Sequence, residues 1–106
     1  MYFLVLAWDG KDEGAVSRRD AAREAHMKSI TTLFEAGHVI LGAGILDDEG
    51  AVRGSIVVTD YATRADVNAY IEDEPLQTGG VWESVSVYPL RLPDMYVKGL
   101  AAGNLS

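Results

Sequence analysis

The segment from Tyr2 to Trp8 constrains the fold more than any other part of the chain, because it is apolar on both of its alternating sets of residues. Side chains of a strand point alternately to opposite faces, so a strand with two apolar sets has to be covered on both faces. The segment is also too short to cross a membrane. It therefore predicts a central strand of a sheet that is packed between two layers.

The rest of the chain supplies two amphipathic segments and three more apolar ones. Helices are predicted from Arg18 to Ala36 and from Ala62 to Glu72, with N-caps at Ser17 and Thr63. Further strands are predicted over His38–Leu46, Gly54–Asp60 and Val81–Leu90. The order β-α-β-β-α-β is that of the ferredoxin-like α+β fold, which has a four-stranded antiparallel sheet and both helices on one side.

The domain boundary follows from this element order. Residues 1–92 hold all six predicted elements and form one domain. Residues 93–106 have little hydrophobic periodicity and several small side chains. We predict that they form a C-terminal tail, which is either an arm that packs on a partner subunit or a frayed end.

The predicted topology leaves one face of the sheet without helices. Strand alternation puts the Trp82 and Tyr88 side chains on one face, and the first strand is apolar on both of its faces. The uncovered face would be a large apolar patch in a monomer. We therefore predict a homodimer that packs sheet against sheet; the alternative is that the tail folds back on its own sheet.

Charge and composition exclude several classes of function. Sixteen acidic residues against nine Lys and Arg give a net charge of −7, which argues against nucleic acid and anionic membrane surfaces as partners. The chain has no cysteine, so disulfides, thiolate metal sites and cysteine nucleophiles are excluded. The apolar N-terminal run has no basic residues before it and is too short for a signal peptide, so we expect a cytoplasmic location.

His26 lies on the apolar stripe of the first predicted helix. It shares that stripe with three apolar residues at spacings of four, four and three, namely Ala22, Ile30 and Leu33. An imidazole buried there without a hydrogen-bond partner would cost about 1–3 kcal/mol. His26 therefore needs a partner.

Two kinds of partner are open to His26. One is a backbone carbonyl, as for many core histidines. The other is a carboxylate, Glu74 or Asp73, at the point where Pro75 breaks the second helix. A carboxylate would fix the ring tautomer and stabilise the protonated ring, and it would leave the other ring nitrogen free to move a proton. The second arrangement would be an acid–base pair.

The sequence has no metal-binding or dinucleotide-binding motif. The two histidines are twelve residues apart, on a predicted helix and a predicted strand, and do not have the spacing of metal ligands. The segment Gly42 to Gly44 lacks the third glycine and the following helix of a dinucleotide-binding fingerprint. The two glycines do allow another group to approach the backbone closely. We predict no metal and no cofactor.

Three stretches of the chain together resemble the YCII-related domain proteins. They are YFLVLAWD at the start, REAHMKSITTLFEAGHVILGAGIL in the middle and EDEPLQTGGVWESVSVYPL near the end. The resemblance implies a ferredoxin-like fold, a dimeric α+β barrel and an active site made of a histidine and an aspartate. The histidine matches His26. The acid that directly precedes the proline is Glu74 in this chain, with Asp73 one position earlier.

The resemblance also implies a class of reaction. The few family members with a described activity dehydrochlorinate chlorinated hydroxyquinone-type aromatics without a cofactor. The first hypothesis is therefore a cofactor-independent lyase or isomerase in which His26 transfers a proton and Glu74 or Asp73 orients the ring. The second is a non-catalytic dimeric module that binds a small ligand or has an accessory role. The enzyme needs His26 beside a carboxylate and open to a cavity, whereas the module would have His26 packed and bonded to backbone.

Three residues are predicted to bind the substrate. Arg19 or Arg23 would hold an anionic group, because a guanidinium binds carboxylates and similar groups with directed hydrogen bonds. Trp82 would line a pocket for a small ring. The predicted partner is a small anionic molecule, with an aromatic one as the leading candidate.

Overall fold

The computed structural model describes residues 1–97, and their order of elements is the predicted one with one short helix added. The elements are β1 (Tyr2–Asp9), α1 (Ala15–Glu35), β2 (Val39–Leu46), β3 (Val52–Asp60), α2 (Arg64–Asp73), α3 (Pro75–Thr78) and β4 (Trp82–Leu90). The four strands form one sheet in the order β2-β3-β1-β4, and all neighbours are antiparallel. The predicted ferredoxin-like α+β fold is confirmed. The predicted tail lies outside the described residues from position 98 onward.

The core lies between the sheet and the helices. One alternating set of β1 is buried, with Phe3, Val5 and Ala7 at most 3% exposed. These side chains pack with Val67 and Tyr70 of α2 and with apolar residues of α1. Burial of each large apolar side chain contributes about 1.5–3 kcal/mol, so this layer fixes how the helices sit on the sheet.

Helix α1 begins at Ala15, earlier than predicted. Its N-cap is Gly14, and Ser17 lies inside the helix rather than capping it. The chain is already turning before this point, because the Asp12 carboxylate accepts a hydrogen bond from the Gly14 amide at 3.2 Å and the Asp12 carbonyl accepts one from the Ala15 amide. The predicted cap of α2 is confirmed, since the Thr63 hydroxyl accepts a hydrogen bond from a backbone amide.

Helix α1 ends as the sequence predicts. Gly37 has φ +83°, a conformation that favours glycine. The Gly37 amide donates to the Phe34 carbonyl at 3.0 Å, and the His38 amide donates to the Leu33 carbonyl at 2.9 Å. These two bonds form a Schellman motif, which turns the chain directly into β2.

The face predicted for Trp82 is wrong. Along the β1–β4 ladder Trp8 pairs with Ser84, but Asp9 pairs with Trp82, so Glu83 is an extra residue on β4. Such a β-bulge moves every side chain beyond it to the other face. Trp82 is therefore on the helix side of the sheet, where it is 5% exposed.

The opposite face of the sheet is apolar and partly open. It carries the second alternating set of β1, which includes Leu4, Leu6 and Trp8, and Tyr88 of β4 lies opposite Leu4. Trp8 is 44% exposed and Tyr88 is 50% exposed. Helices α1 and α2 both pack on the other face. Within residues 1–97, no helix has the length and apolar character needed to cross a membrane.

Candidate active site

A groove of about 640 Å³ runs between α1 and the strands β2 and β3. Two glycines make room for it. Gly42 pairs with Val57 and Gly44 with Ser55, so both glycines face the helix side of the sheet, where a side chain would otherwise fill the space. An added Cβ at Gly42 would meet only a backbone oxygen at 3.7 Å.

His26 lies at this groove and is paired with Glu74. The Nδ1 atom of His26 is 2.5 Å from Oε1 of Glu74, which is within hydrogen-bonding distance. The His26 side chain is 19% exposed and the Glu74 side chain is fully buried. His26 therefore joins a buried carboxylate to an open groove, and it is not bonded to a backbone carbonyl.

The helix break at Pro75 and two further hydrogen bonds hold Glu74 in place. Pro75 ends α2 and begins α3, which leaves Glu74 extended at φ −65°, ψ 126° as the N-cap of the new helix. Oε1 of Glu74 accepts a hydrogen bond from the Leu76 amide at 3.2 Å, and Oε2 accepts one from the Tyr70 hydroxyl at 3.3 Å. The carboxylate thus accepts bonds on both oxygens.

Tyr70 keeps its proton in this arrangement. Burial, together with the negative charge of Glu74, raises the pKa of the Tyr70 phenol above its ordinary value. The phenol therefore remains a hydrogen-bond donor to the Glu74 carboxylate.

The pairing determines which ring nitrogen of His26 is available. A carboxylate accepts hydrogen bonds and donates none, so the contact with Glu74 requires that Nδ1 of His26 carries the proton. The Nε2 atom has no hydrogen bond to any of residues 1–97. In the neutral ring Nε2 carries the lone pair, which makes it the atom that can take up a proton at the groove.

Arg19 lines the same groove and is held from behind by two buried side chains. Its Nε donates to Oδ2 of Asp9 at 2.7 Å and its Nη2 donates to Oδ1 of Asp9 at 2.9 Å. Nη2 also donates to the Ser55 hydroxyl at 3.0 Å. Asp9 and Ser55 are 8% and 7% exposed.

Of the other three predicted site residues, only Arg23 lies at the groove. Arg23 lines the groove as an exposed side chain. Asp73 is exposed and lines a separate groove between α1 and α2. Trp82 packs in the core against Ala22 and Leu76 and is not among the residues that line the groove. The structure therefore brings His26, Glu74, Arg19 and Arg23 together, and it leaves Asp73 and Trp82 apart from them.

Three residues at the site were not predicted from the sequence. They are Asp9, Ser55 and Tyr70. Asp9 did carry a signal, because it continues the buried alternating set of β1, and a carboxylate in such a set needs a charged partner. Ser55 and Tyr70 carried none, since their roles depend on distances between elements. Within residues 1–97, no group of three or more His, Asp or Glu side chains could hold a metal ion.

The fold and the groove define a ferredoxin-like α+β protein with a histidine–carboxylate pair on the helix side of its sheet. The family model of the YCII-related domain matches residues 1–91, and the chain belongs to that family. Protein YciI of Escherichia coli O6:H1 is 29% identical over 98 residues, covering 86% of this chain and 97% of the relative. Protein YciI of Shigella flexneri matches with the same identity and coverage.

A solved structure has the same fold. It is the 5-chloro-2-hydroxyhydroquinone dehydrochlorinase TftG from Burkholderia phenoliruptrix AC1100, in complex with 2,5-dihydroxybenzoquinone. The TM-score is 0.75 at 20% sequence identity, and the match covers 90% of this chain and 98% of TftG. At 20% sequence identity, the similarity to TftG shows a shared fold and nothing more.

Proposed function

We propose that this protein is a cofactor-independent lyase or isomerase in which His26 moves a proton of a small anionic, aromatic molecule. One observation carries the proposal: Nδ1 of His26 is 2.5 Å from a buried carboxylate oxygen of Glu74, and the same ring opens to a groove. A histidine that is oriented by a carboxylate and faces a cavity is the usual arrangement of a general acid–base. A binding module would not need this pairing.

The proposed reaction uses the two ring nitrogens of His26 for different tasks. Nε2 takes a proton from the substrate, and Glu74 stabilises the resulting imidazolium through Nδ1. In a dehydrochlorination the electron pair left by the proton forms a new double bond, and chloride departs with the electrons of its bond to carbon. In an isomerisation Nε2 returns the proton to another atom. Both reactions balance without an oxidant or reductant.

The groove supports a substrate of modest size. Its volume of about 640 Å³ lies within the range of small-molecule sites. Its wall combines apolar side chains such as Ile30 and Phe34 with the guanidinium groups of Arg19 and Arg23. The TftG structure holds 2,5-dihydroxybenzoquinone, a single acidic ring, and the shared fold makes such a ring the first candidate ligand. The binding role predicted for Trp82 finds no support in this geometry.

Replacement of Glu74 tests the pairing directly. We expect the native protein and Glu74→Gln to hold the neutral His26 ring as the Nδ1–H tautomer, because both side chains present an oxygen to Nδ1. Glu74→Leu removes that oxygen, and we expect the ring to shift to the Nε2–H tautomer. The measurement is the pair of ring ¹⁵N chemical shifts at a pH where the ring is neutral.

Two results of that measurement would count against the pairing. A native ring in the Nε2–H form would mean that Glu74 does not accept from Nδ1. An unchanged tautomer in Glu74→Leu would mean that another group sets it. The His38 ring serves as the internal control, because its Nδ1 atom is 3.1 Å from the Asp60 carbonyl oxygen and does not depend on Glu74.

The partner proposed for this chain is a second copy that covers the open sheet face. The apolar character of that face and the exposure of Trp8 and Tyr88 support the proposal. We expect the native protein to sediment at twice its chain mass of 11.4 kDa, and Tyr88→Glu to sediment as a monomer. Val16→Glu on α1, where Val16 is 63% exposed, should remain a dimer. A native monomer would contradict the proposal.

The predicted cytoplasmic location stays a prediction.

A further inference from the structure

Asp9 is a buried carboxylate that the proposed proton transfer does not use. It continues the buried set of β1 and is 8% exposed. A buried charge is costly unless it is paired and hydrogen-bonded. Both Asp9 oxygens are satisfied by one guanidinium, that of Arg19, at 2.7 and 2.9 Å. The pair therefore fixes Arg19 in one orientation.

The bonds to Asp9 and Ser55 use one side of the Arg19 guanidinium. Nε and Nη2 make three hydrogen bonds to these two residues. Nη1 makes no hydrogen bond to any of residues 1–97, and Arg19 lines the groove. Its two N–H groups are therefore left for a ligand. Since Asp9 compensates the charge, Arg19 offers directed hydrogen bonds more than net positive charge.

Arg19 and His26 line the same groove from positions on one helix, α1. They are seven residues apart, which is about two helical turns or roughly 10 Å along the axis, and this places both on one side of the helix. A ligand in the groove can therefore contact both side chains.

We propose that Asp9, with Ser55, is a positioning residue that presents Nη1 of Arg19 as a binding site for an enolate, phenolate or carboxylate oxygen of a single-ring ligand. The inference rests on the proposed function, because it places that oxygen at the end of the groove away from His26. It predicts that a ring is held by the oxygen opposite the atom that reacts.

Arg18 provides a matched comparison on the same helix. It also makes a bidentate pair, with Asp12 at 2.7 and 2.8 Å, and that pair lowers the pKa of Asp12 to about 2. This pair is exposed, and neither residue lines the groove. Asp12→Asn therefore removes the carboxylate of an Asp–Arg pair on α1 outside the proposed site, and it is the control for Asp9→Asn.

The test is a titration of the full chain with 2,5-dihydroxybenzoquinone, followed by NMR at the Arg19 guanidinium and the His26 ring. In the native protein we expect saturable shifts at Arg19 and separate Nη1 and Nη2 signals that report slow rotation. We expect Asp9→Asn to merge those signals and to weaken binding about tenfold, and Ser55→Ala to weaken it about threefold. Asp12→Asn should bind as tightly as the native protein.

The Arg19 and His26 signals test the two proposals separately. If the His26 ring shifts but Arg19 does not, the Arg19 site is wrong and the proposed function stands. If Arg19 shifts and His26 does not, the Arg19 site stands and the proposed function fails. If neither shifts, both fail. Native-like affinity in both Asp9→Asn and Ser55→Ala, or rapid rotation of the native Arg19 guanidinium, would overturn the positioning role. Should Asp9→Asn not fold, Ser55→Ala and the native rotation rate decide the question.

Discussion

Replacement of His26 by glutamine is expected to slow the reaction by roughly 100- to 10,000-fold, the usual contribution of a general acid–base. The introduced amide can still form a hydrogen bond to Glu74, so the buried carboxylate keeps a partner. The amide cannot take up a proton from the substrate. With 5-chloro-2-hydroxyhydroquinone as the trial substrate, the measurement is the rate of chloride release by the native protein and by His26→Gln.

His38→Gln is the matched control for this experiment. The His38 ring stacks on Tyr61 at a centroid distance of 4.6 Å and lies outside the groove that His26 faces. We expect it to release chloride at the native rate. Equal rates for native protein and His26→Gln would exclude His26 as the base. Binding of the trial substrate without chloride release would exclude dehydrochlorination and favour a binding module.

The sequence does not determine whether Glu74 or Asp73 would be the carboxylate partner of His26. In the structure the partner is Glu74. Both Glu74 and Asp73 lie near the proline that breaks the second helix. Periodicity cannot choose between neighbours there, because the backbone direction changes at that point. In the structure Glu74 is the extended N-cap of α3 and turns its side chain inward, while Asp73 is the exposed last residue of α2.

The position of Trp82 shows where strand alternation fails. Alternation predicts the face of a residue only while the ladder stays regular. The extra residue Glu83 interrupts the ladder between β1 and β4, and sequence alone gives no reason to expect a bulge there. Trp82 consequently fills the core, and its Nε1 atom is buried without a partner among residues 1–97. The overall topology did not depend on this detail, so it could be predicted from element order.

The ion pair of Arg19 and Asp9 could be predicted only in part from the sequence. The buried set of β1 includes Asp9, and a basic residue on the adjacent helix was the partner to look for. The sequence offers Arg18, Arg19 and Arg23 as candidates, and helix rotation determines which one reaches the strand. Arg19 is seven residues from His26 and lies on the same side of α1, but whether its side chain reaches Asp9 depends on how the helix packs on the sheet.

Gly54→Ala is expected to destabilise the protein by about 1–3 kcal/mol, in the range of overpacked cores. A Cβ at Gly54 would lie 2.5 Å from the Ala7 carbonyl oxygen and 3.0 Å from Cε3 of Trp8. The first of these atoms belongs to the backbone of the central strand, so it cannot move aside as a flexible side chain would. The measurement is the free energy of unfolding in urea. Gly42→Ala should change it by at most about 0.5 kcal/mol, because the nearest atom is 3.7 Å away.

The close approach at Gly54 also sets the geometry of the Arg19 site. Ser55 follows Gly54 on β3, and Asp9 follows Trp8, the residue that pairs with Gly54. Asp9 and Ser55 bind the same Nη2 atom of Arg19, so the separation of β1 and β3 at this point decides whether both can reach it. We therefore expect the folded fraction of Gly54→Ala to lose the slow rotation of the Arg19 guanidinium, whereas Gly42→Ala keeps it. Native stability together with native Arg19 signals in Gly54→Ala would show that the two strands are not this close.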